Sequence, residues 1–249
     1  MGIEYGLAGG RPVPAAPAAR ARNPDRWFFP GMALTAAVVV FVGFAPSYYL
    51  RSIYGGAAVQ PLVHLHGVVA TAWMLLFFTQ TALVSARRTD IHRRLGIAGA
   101  VLAPVVVVVS WIVAVAAARR GVAPPGAPSA LGFLAIPIAT ALSFAILAGL
   151  GLHHRRRADT HKRLMLLATL AMLPPAFARF RWFGPGGPPV AIGGTCLLIA
   201  TCLVYDRTTR GRIHPAFLWG GLLLMLSLPL RFALARTDAW LAVARWLTR

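Results

Sequence analysis

Aspartate, histidine and a basic pair recur at fixed spacing in this chain. The string Asp-x-His-basic-basic-Leu stands at Asp90, His92, Arg93, Arg94 and Leu95, and again at Asp159, His161, Lys162, Arg163 and Leu164. A looser copy carries Asp206 and His214 with Arg207, Arg210 and Arg212 between them. Imidazole is the commonest metal ligand and the side chain that titrates nearest neutral pH. Three such residues in front of three apolar runs could share one ligand. Helix capping accounts for the Asp, and anchoring to lipid headgroups accounts for the basic residues. Neither gives a reason for the His, since a cation is mildly unfavourable at a helix N-terminus. The expected arrangement makes His92 and His161 ligands of one metal, with His214 an alternative or supporting ligand. Asp90 and Asp159 could then orient the rings through Nδ1–H.

A second group stands in "VHLHGVVATAWMLLFFTQTALV". His64 and His66 lie about 200° apart on a helix, so they face different neighbours, and their spacing is not that of a helical Zn pair. Gly67 permits close approach of a helix or a flat ligand. His66, Trp73 and Gln80 are spaced by seven and form one stripe. A buried amide such as Gln80 calls for a partner inside a bundle. His161, Met165, Met172 and Arg179 form another stripe, roughly 27 Å long from His161 to Arg179, with a kink expected at Pro174 and Pro175. Arg179, Arg181 and Arg231 stand far from the basic clusters, where Arg needs an anion, a carbonyl or water. With His64 and His66 they could hold carboxylates, haem propionates or an anionic lipid.

These residues must be carried by elements suited to lipid. Of the 249 residues 58% are hydrophobic and 12% charged, with a mean hydropathy of +0.68, values outside the range of an ordinary soluble domain. Apolar runs near 28–50, 61–85, 94–118, 129–152, 162–183, 189–205 and 214–235 approach the ~20 residues needed to cross a bilayer. The expected fold is all-α, a polytopic transmembrane bundle of about seven spans. Span six is the weakest, because "GPGGPPVAIGG" delays its start. No Asp or Glu falls inside any of these runs, which leaves a transporter without the usual coupling carboxylate.

The net charge of +19 does not mark a nucleic-acid partner, because the basic residues fall between and at the ends of apolar runs. They are topology signals. The loops "SARRTDIHRR", "HHRRRADTHKR" and "DRTTRGR" are placed in the cytoplasm by the positive-inside rule, with the N-terminus inside, the C-terminus outside and the protein in a bacterial inner (cell) membrane. Residues 1–25 have the composition of a disordered cytoplasmic tail, residues 26–235 form the transmembrane domain, and 236–249 a short amphipathic segment along the interface. Cys196 and Cys202 are small apolar side chains of one helix. Phosphate loops and nucleophilic motifs are absent.

His66-Gly67, Gln80 and His92 through Gly96 together resemble a pattern shared by uncharacterised bacterial multi-pass families, and His161 to Met165 is similar to a motif in a family associated with terminal-oxidase maturation. A looser likeness is to cytochrome b561-like haem proteins, in which His residues at helix ends clamp b haems. That likeness implies haem b held between His92 and His161 and electron transfer as the role; both outer-end His share one helix, a departure from the pattern. The readings left open are a haem-binding redox protein, an assembly or scaffold factor for a respiratory-chain component, and a small-molecule transporter.

Overall fold

The computed structural model describes residues 24–56, 58–124, 127, 129–180 and 186–249. The tail 1–23, and Arg181, lie outside the described residues. The chain forms α1 (Asp25–Phe44), a π-helical turn (Ala45–Tyr49), α2 (Pro61–Ser85), α3 (Thr89–Arg119), α4 (Ala130–Phe133), α5 (Ala135–His153), α6 (Ala158–Ala171), α7 (Pro174–Phe177), α8 (Pro188–Arg210), α9 (Pro215–Leu234) and α10 (Asp238–Leu247). Among the described residues six stretches are long and apolar enough to cross a membrane: Asp25–Tyr49, Pro61–Ser85, Thr89–Arg119, Ala130–His153, Pro188–Arg210 and Pro215–Leu234. The protein is thus a multi-pass integral membrane protein by helix length and hydropathy.

The expected count of seven full spans is corrected to six, and the odd one is the fifth. Pro174 and Pro175 lack N–H donors and clash with the preceding turn, so α6 ends after 14 residues and α7 resumes as one short turn. The result is a break rather than a kink. The segment nevertheless runs alongside α1: Lys162 meets Asp25 at one end, and Ala176 lies against Gly43 at the other. Leu166, Leu167, Ala168, Leu170, Leu173 and Ala176 are completely buried. A broken helix is tolerated at membrane depth only where protein surrounds it, and here α1, α5, α8 and α9 do so. The sixth stretch, expected to be weak, is instead the 23-residue α8, started by Pro188 and Pro189 in its first turn.

The α2–α3, α5–α6 and α8–α9 connections all gather at one end, called the basic end below. Ser85 at the end of α2 donates to the Arg26 carbonyl at 2.7 Å, which sets that connection beside the start of α1. At the opposite end α10 is capped by Thr237, whose hydroxyl accepts from the Trp240 N–H, and Trp240 Nε1–H donates to the Leu131 carbonyl. Ala244 is fully buried while Trp246 is exposed.

Because lipid tails are as apolar as Leu, association of these helices rests on close packing and polar contacts rather than on hydrophobic burial. Small residues provide it. A Cβ at Gly43 would sit 2.5 Å from the Ala176 carbonyl oxygen, and one at Gly151 2.7 Å from Met165 Sδ. At the centre Trp73 is packed edge-on to Phe144 and donates to Thr169 Oγ1.

Gly43→Ala is expected to destabilise the bundle by about 1–3 kcal/mol, since its neighbour is rigid backbone. Gly149→Ala, which meets nothing within 4 Å, leaves stability unchanged or slightly raised. Unfolding midpoints in mixed detergent micelles check both.

Candidate functional site

Charges at the basic end are arranged in a network whose members have partners. Arg163 and Asp206 are each 0% exposed; Arg163 Nε lies 2.9 Å from Asp206 Oδ2 and Nη2 2.5 Å from Oδ1. Asp206 Oδ2 also accepts from the His214 backbone N–H at 3.0 Å. Asp25 accepts from Lys162, Arg210 and the Tyr205 hydroxyl, and Asp159 from Lys162 and Arg163. Phe28 stacks on Tyr205 at 3.5 Å. The network thereby ties the start of α1, the first turns of α6, the end of α8 and the start of α9.

Two sequence expectations are corrected here. Asp90 and Asp159 are not N-caps, because α3 and α6 begin one residue before each of them and neither N-cap residue, Arg88 or Arg157, makes a side-chain capping bond. As first-turn carboxylates they still complement the helix dipole. A carboxylate does lie inside a spanning helix: α8 continues past the apolar run, and Asp206 faces the bundle while Arg207, Thr208 and Thr209 are exposed.

His92 and His161 are brought together, with ring centroids 6.4 Å apart and planes at 74°. They occupy equivalent places, the first turns of the second helices of two antiparallel hairpins, α2–α3 and α5–α6. His161 Nδ1–H donates to the Gly151 carbonyl at 2.7 Å, which leaves Nε2 as its lone-pair nitrogen. Among the described residues His92 Nδ1 is buried without a hydrogen-bond partner. Gln80 Oε1 is likewise buried and unpartnered. Two buried polar atoms, His92 Nδ1 and Gln80 Oε1, thus have no hydrogen-bond partner among the described residues. Groups left in that state cost free energy unless a cation or a donor meets them.

His214 belongs elsewhere. Its Nδ1 accepts from the Ala216 N–H at 3.1 Å, capping α9, and its charged neighbours are Arg163, Asp206, Asp159 and Arg210. Burial, reinforced by Arg163, pushes its pKa below the ordinary imidazole value. Among the described residues no group of three or more His, Cys, Asp or Glu could share a metal ion.

The residues expected at the end remote from the basic loops each have separate partners. His64 Nδ1 meets the Tyr48 hydroxyl at 3.0 Å, and His66 Nδ1 lies 3.5 Å from Ser110 Oγ. The close approach at Gly67 is by the Tyr48 ring, 2.4 Å from where a Cβ would be. Arg179 donates to the Pro175 carbonyl and stacks over Phe44 at 4.3 Å. Arg231, 2% exposed, donates to Thr140 Oγ1, Ser143 Oγ and both oxygens of Ser227. Each of those hydroxyls donates onward to a carbonyl of its own helix, so neutral oxygens surround this cation.

Sequence reading missed Asp25 and Tyr205 as network members, and Asp206 as the partner of Arg163. The scarcity of acids, six against 25 Lys and Arg, was the available signal: each buried Arg competes for few carboxylates. Comparison with protein-family models, with curated proteins and with solved structures found no match.

Asp206→Asn leaves Arg163 buried without its counter-charge and is expected to cost about 3–5 kcal/mol, most of it recovered in the Arg163→Met/Asp206→Leu pair; a double-mutant cycle of unfolding free energies measures this. The depressed His214 pKa has a second consequence. Its contribution to stability is present above the unfolded value of about 6.5 and is lost as pH falls through the lower folded value. Melting temperatures between pH 7.5 and 5 should therefore fall in the wild type and fall less in His214→Ser, which keeps a capping oxygen but does not titrate.

Proposed function

We propose that this integral membrane protein carries a transition-metal centre on His92 and His161, with Gln80 Oε1 as a further oxygen donor, and serves as a redox protein of the membrane. The observation that carries this is the juxtaposition of the His92 and His161 rings, with His92 Nδ1 and Gln80 Oε1 buried and without a hydrogen-bond partner among the described residues. A charged cluster built only for stability has its groups partnered, as the neighbouring network does. The imidazole pair leaves His92 Nδ1 bare beside a ring whose other nitrogen is fixed by the Gly151 carbonyl, the device by which metal-binding histidines are set in one tautomer. The ring separation of 6.4 Å suits one ion between two nitrogens at about 2.0–2.1 Å each. Imidazole favours Zn, Cu, Fe or Ni over Mg or Ca.

Iron in a b-type haem is the second reading, favoured by that same separation and by the pairing of inner-end imidazoles. When bound, haem would supply one-electron chemistry; His92 and His161 would hold it, and the Gly151 carbonyl would orient the His161 ring. The basic end is assigned to the cytoplasmic side of a bacterial cell membrane by the positive-inside rule.

The test is metal analysis and absorption spectroscopy of detergent-purified protein, oxidised and dithionite-reduced, beside His92→Ala and His161→Ala. One metal per chain, reduced at least tenfold in either variant, is expected. A Soret band lost in both variants makes the metal haem iron. Folded wild type with no bound metal after incubation with Cu, Zn, Ni or Fe salts and with haem, or metal retained in both variants, contradicts the proposal.

A further inference from the structure

α3 has 31 residues and rises about 46 Å, more than the ~30 Å of bilayer hydrocarbon, which carries its ends to headgroup level. At the end remote from the basic loops α10 packs over it, with Ala244 in one apolar cluster with Ala114 and Ala118 of α3 and with Leu134. Arg119 Nη2 donates to the main-chain oxygen of Arg249 at this junction. Leading up to it, one face of α3, made of Trp111, Ile112, Val115, Ala116 and Arg119, lines a groove of 370 Å³. Trp111 and Ile112 are exposed, so the groove opens to the outside of the bundle, where lipid lies.

Three sides of α10 differ. Trp240 and Ala244 turn inward, with Trp240 Nε1–H on the Leu131 carbonyl. Ala239, Val243 and Trp246, spaced by four and three, form an exposed apolar stripe. Arg245 stands on another side, one turn before Arg249, and both are exposed. A helix so divided lies in the interface plane, its apolar stripe against acyl chains and its cations among headgroups. These cations have donors free. Among the described residues the side chains of Arg120, Arg245 and Arg249 make no hydrogen bond or ion pair, and Arg119 makes the single bond to Arg249. Asp238, the one acid at this end of the described residues, begins α10 two turns before Arg245 and pairs with none of them.

We propose that the corner between α3 and α10 binds an acidic phospholipid, with an acyl chain along Trp111, Ile112, Val115 and Ala116, the phosphate on Arg119, and Arg245 and Arg249 adding charge. Groove and cations are ordered as that lipid is, an apolar wall along the spanning helix and guanidinium groups at its rim. Arg residues at this end run against the charge bias that orients the chain. An anion must offset them there, and a net negative headgroup does so where a zwitterionic one leaves the excess in place. The site is separate from the His92 and His161 pair and stands whether or not that pair holds a metal.

Native mass spectrometry of the full chain, released from nanodiscs of equal phosphatidylglycerol and phosphatidylcholine, reads the lipid retained. A preference of at least tenfold for phosphatidylglycerol is expected. It is lost in Arg119→Gln/Arg245→Gln, and lost again in Ala116→Trp, which fills the groove without removing a charge. Arg93→Gln/Arg94→Gln, which removes the same charge at the basic end, keeps it. Folded wild type that retains both lipids equally overturns the proposal. So does a preference that survives in both groove variants, or one that the basic-end variant reduces as much as they do, which places the acidic lipid at the loops.

Discussion

The Arg163–Asp206 pair is the interaction on which the basic end of the bundle depends. Both side chains are removed from solvent, and two ions cannot be placed there unless each is the other's partner and the remaining donors and acceptors are satisfied. The structure meets that condition. Arg163 also donates to the Asp159 carbonyl, Asp206 also accepts from the His214 N–H, and Arg163 lies over the Phe217 ring. Such a pair adds less to net stability than its Coulomb attraction suggests. It strongly selects one arrangement of α6, α8 and α9, because any other register leaves a buried charge alone.

That arrangement explains how an interrupted helix can occupy the middle. Protein surrounds α6 and α7, so the backbone groups freed near Pro174 and Pro175 do not face lipid. The first turn of α6 is held by ion pairs, and α7 is held by contact of Ala176 with Gly43. His161 shares its turn of helix with Lys162 and Arg163. The same ionic contacts that fix α6 therefore fix one of the two imidazoles, while the α2–α3 hairpin delivers the other. A site on rigid, ion-paired elements is held in place more firmly than one on loops.

Much of this was legible in the sequence. The bounds read for the second span, 61–85, are those of α2, because its apolar run is cleanly bracketed by Pro61 and the basic loop. The repeated motif stands at equal positions of two hairpins, which brings the His92 and His161 rings to the same end, with centroids 6.4 Å apart. The stripe of His66, Trp73 and Gln80 turns inward, as its period requires. What remained hidden was long-range. Nothing near Arg163 in the chain reveals that Asp206, forty-three residues on, removes it from the surface, so local logic assigns it to lipid headgroups. Asp25 falls in a stretch of tail-like composition, yet it begins α1 and joins Lys162, Tyr205 and Arg210. Pro174 and Pro175 signal a kink in isolation; only the surrounding helices make a full break tolerable.

Within one end of the bundle, the ionic network satisfies its charges, and beside it His92 Nδ1, next to the His161 ring, is buried with no partner among the described residues. That contrast is the basis for assigning structure to the first and function to the second. X-ray absorption at the edge of the metal retained by purified protein tests the assignment most directly. The account predicts two imidazole nitrogens at about 2.0–2.1 Å, with the multiple-scattering pattern of histidine rings falling to one ring in His161→Ala reloaded with metal. A coordination shell without imidazole, or one unchanged by that substitution, would contradict it.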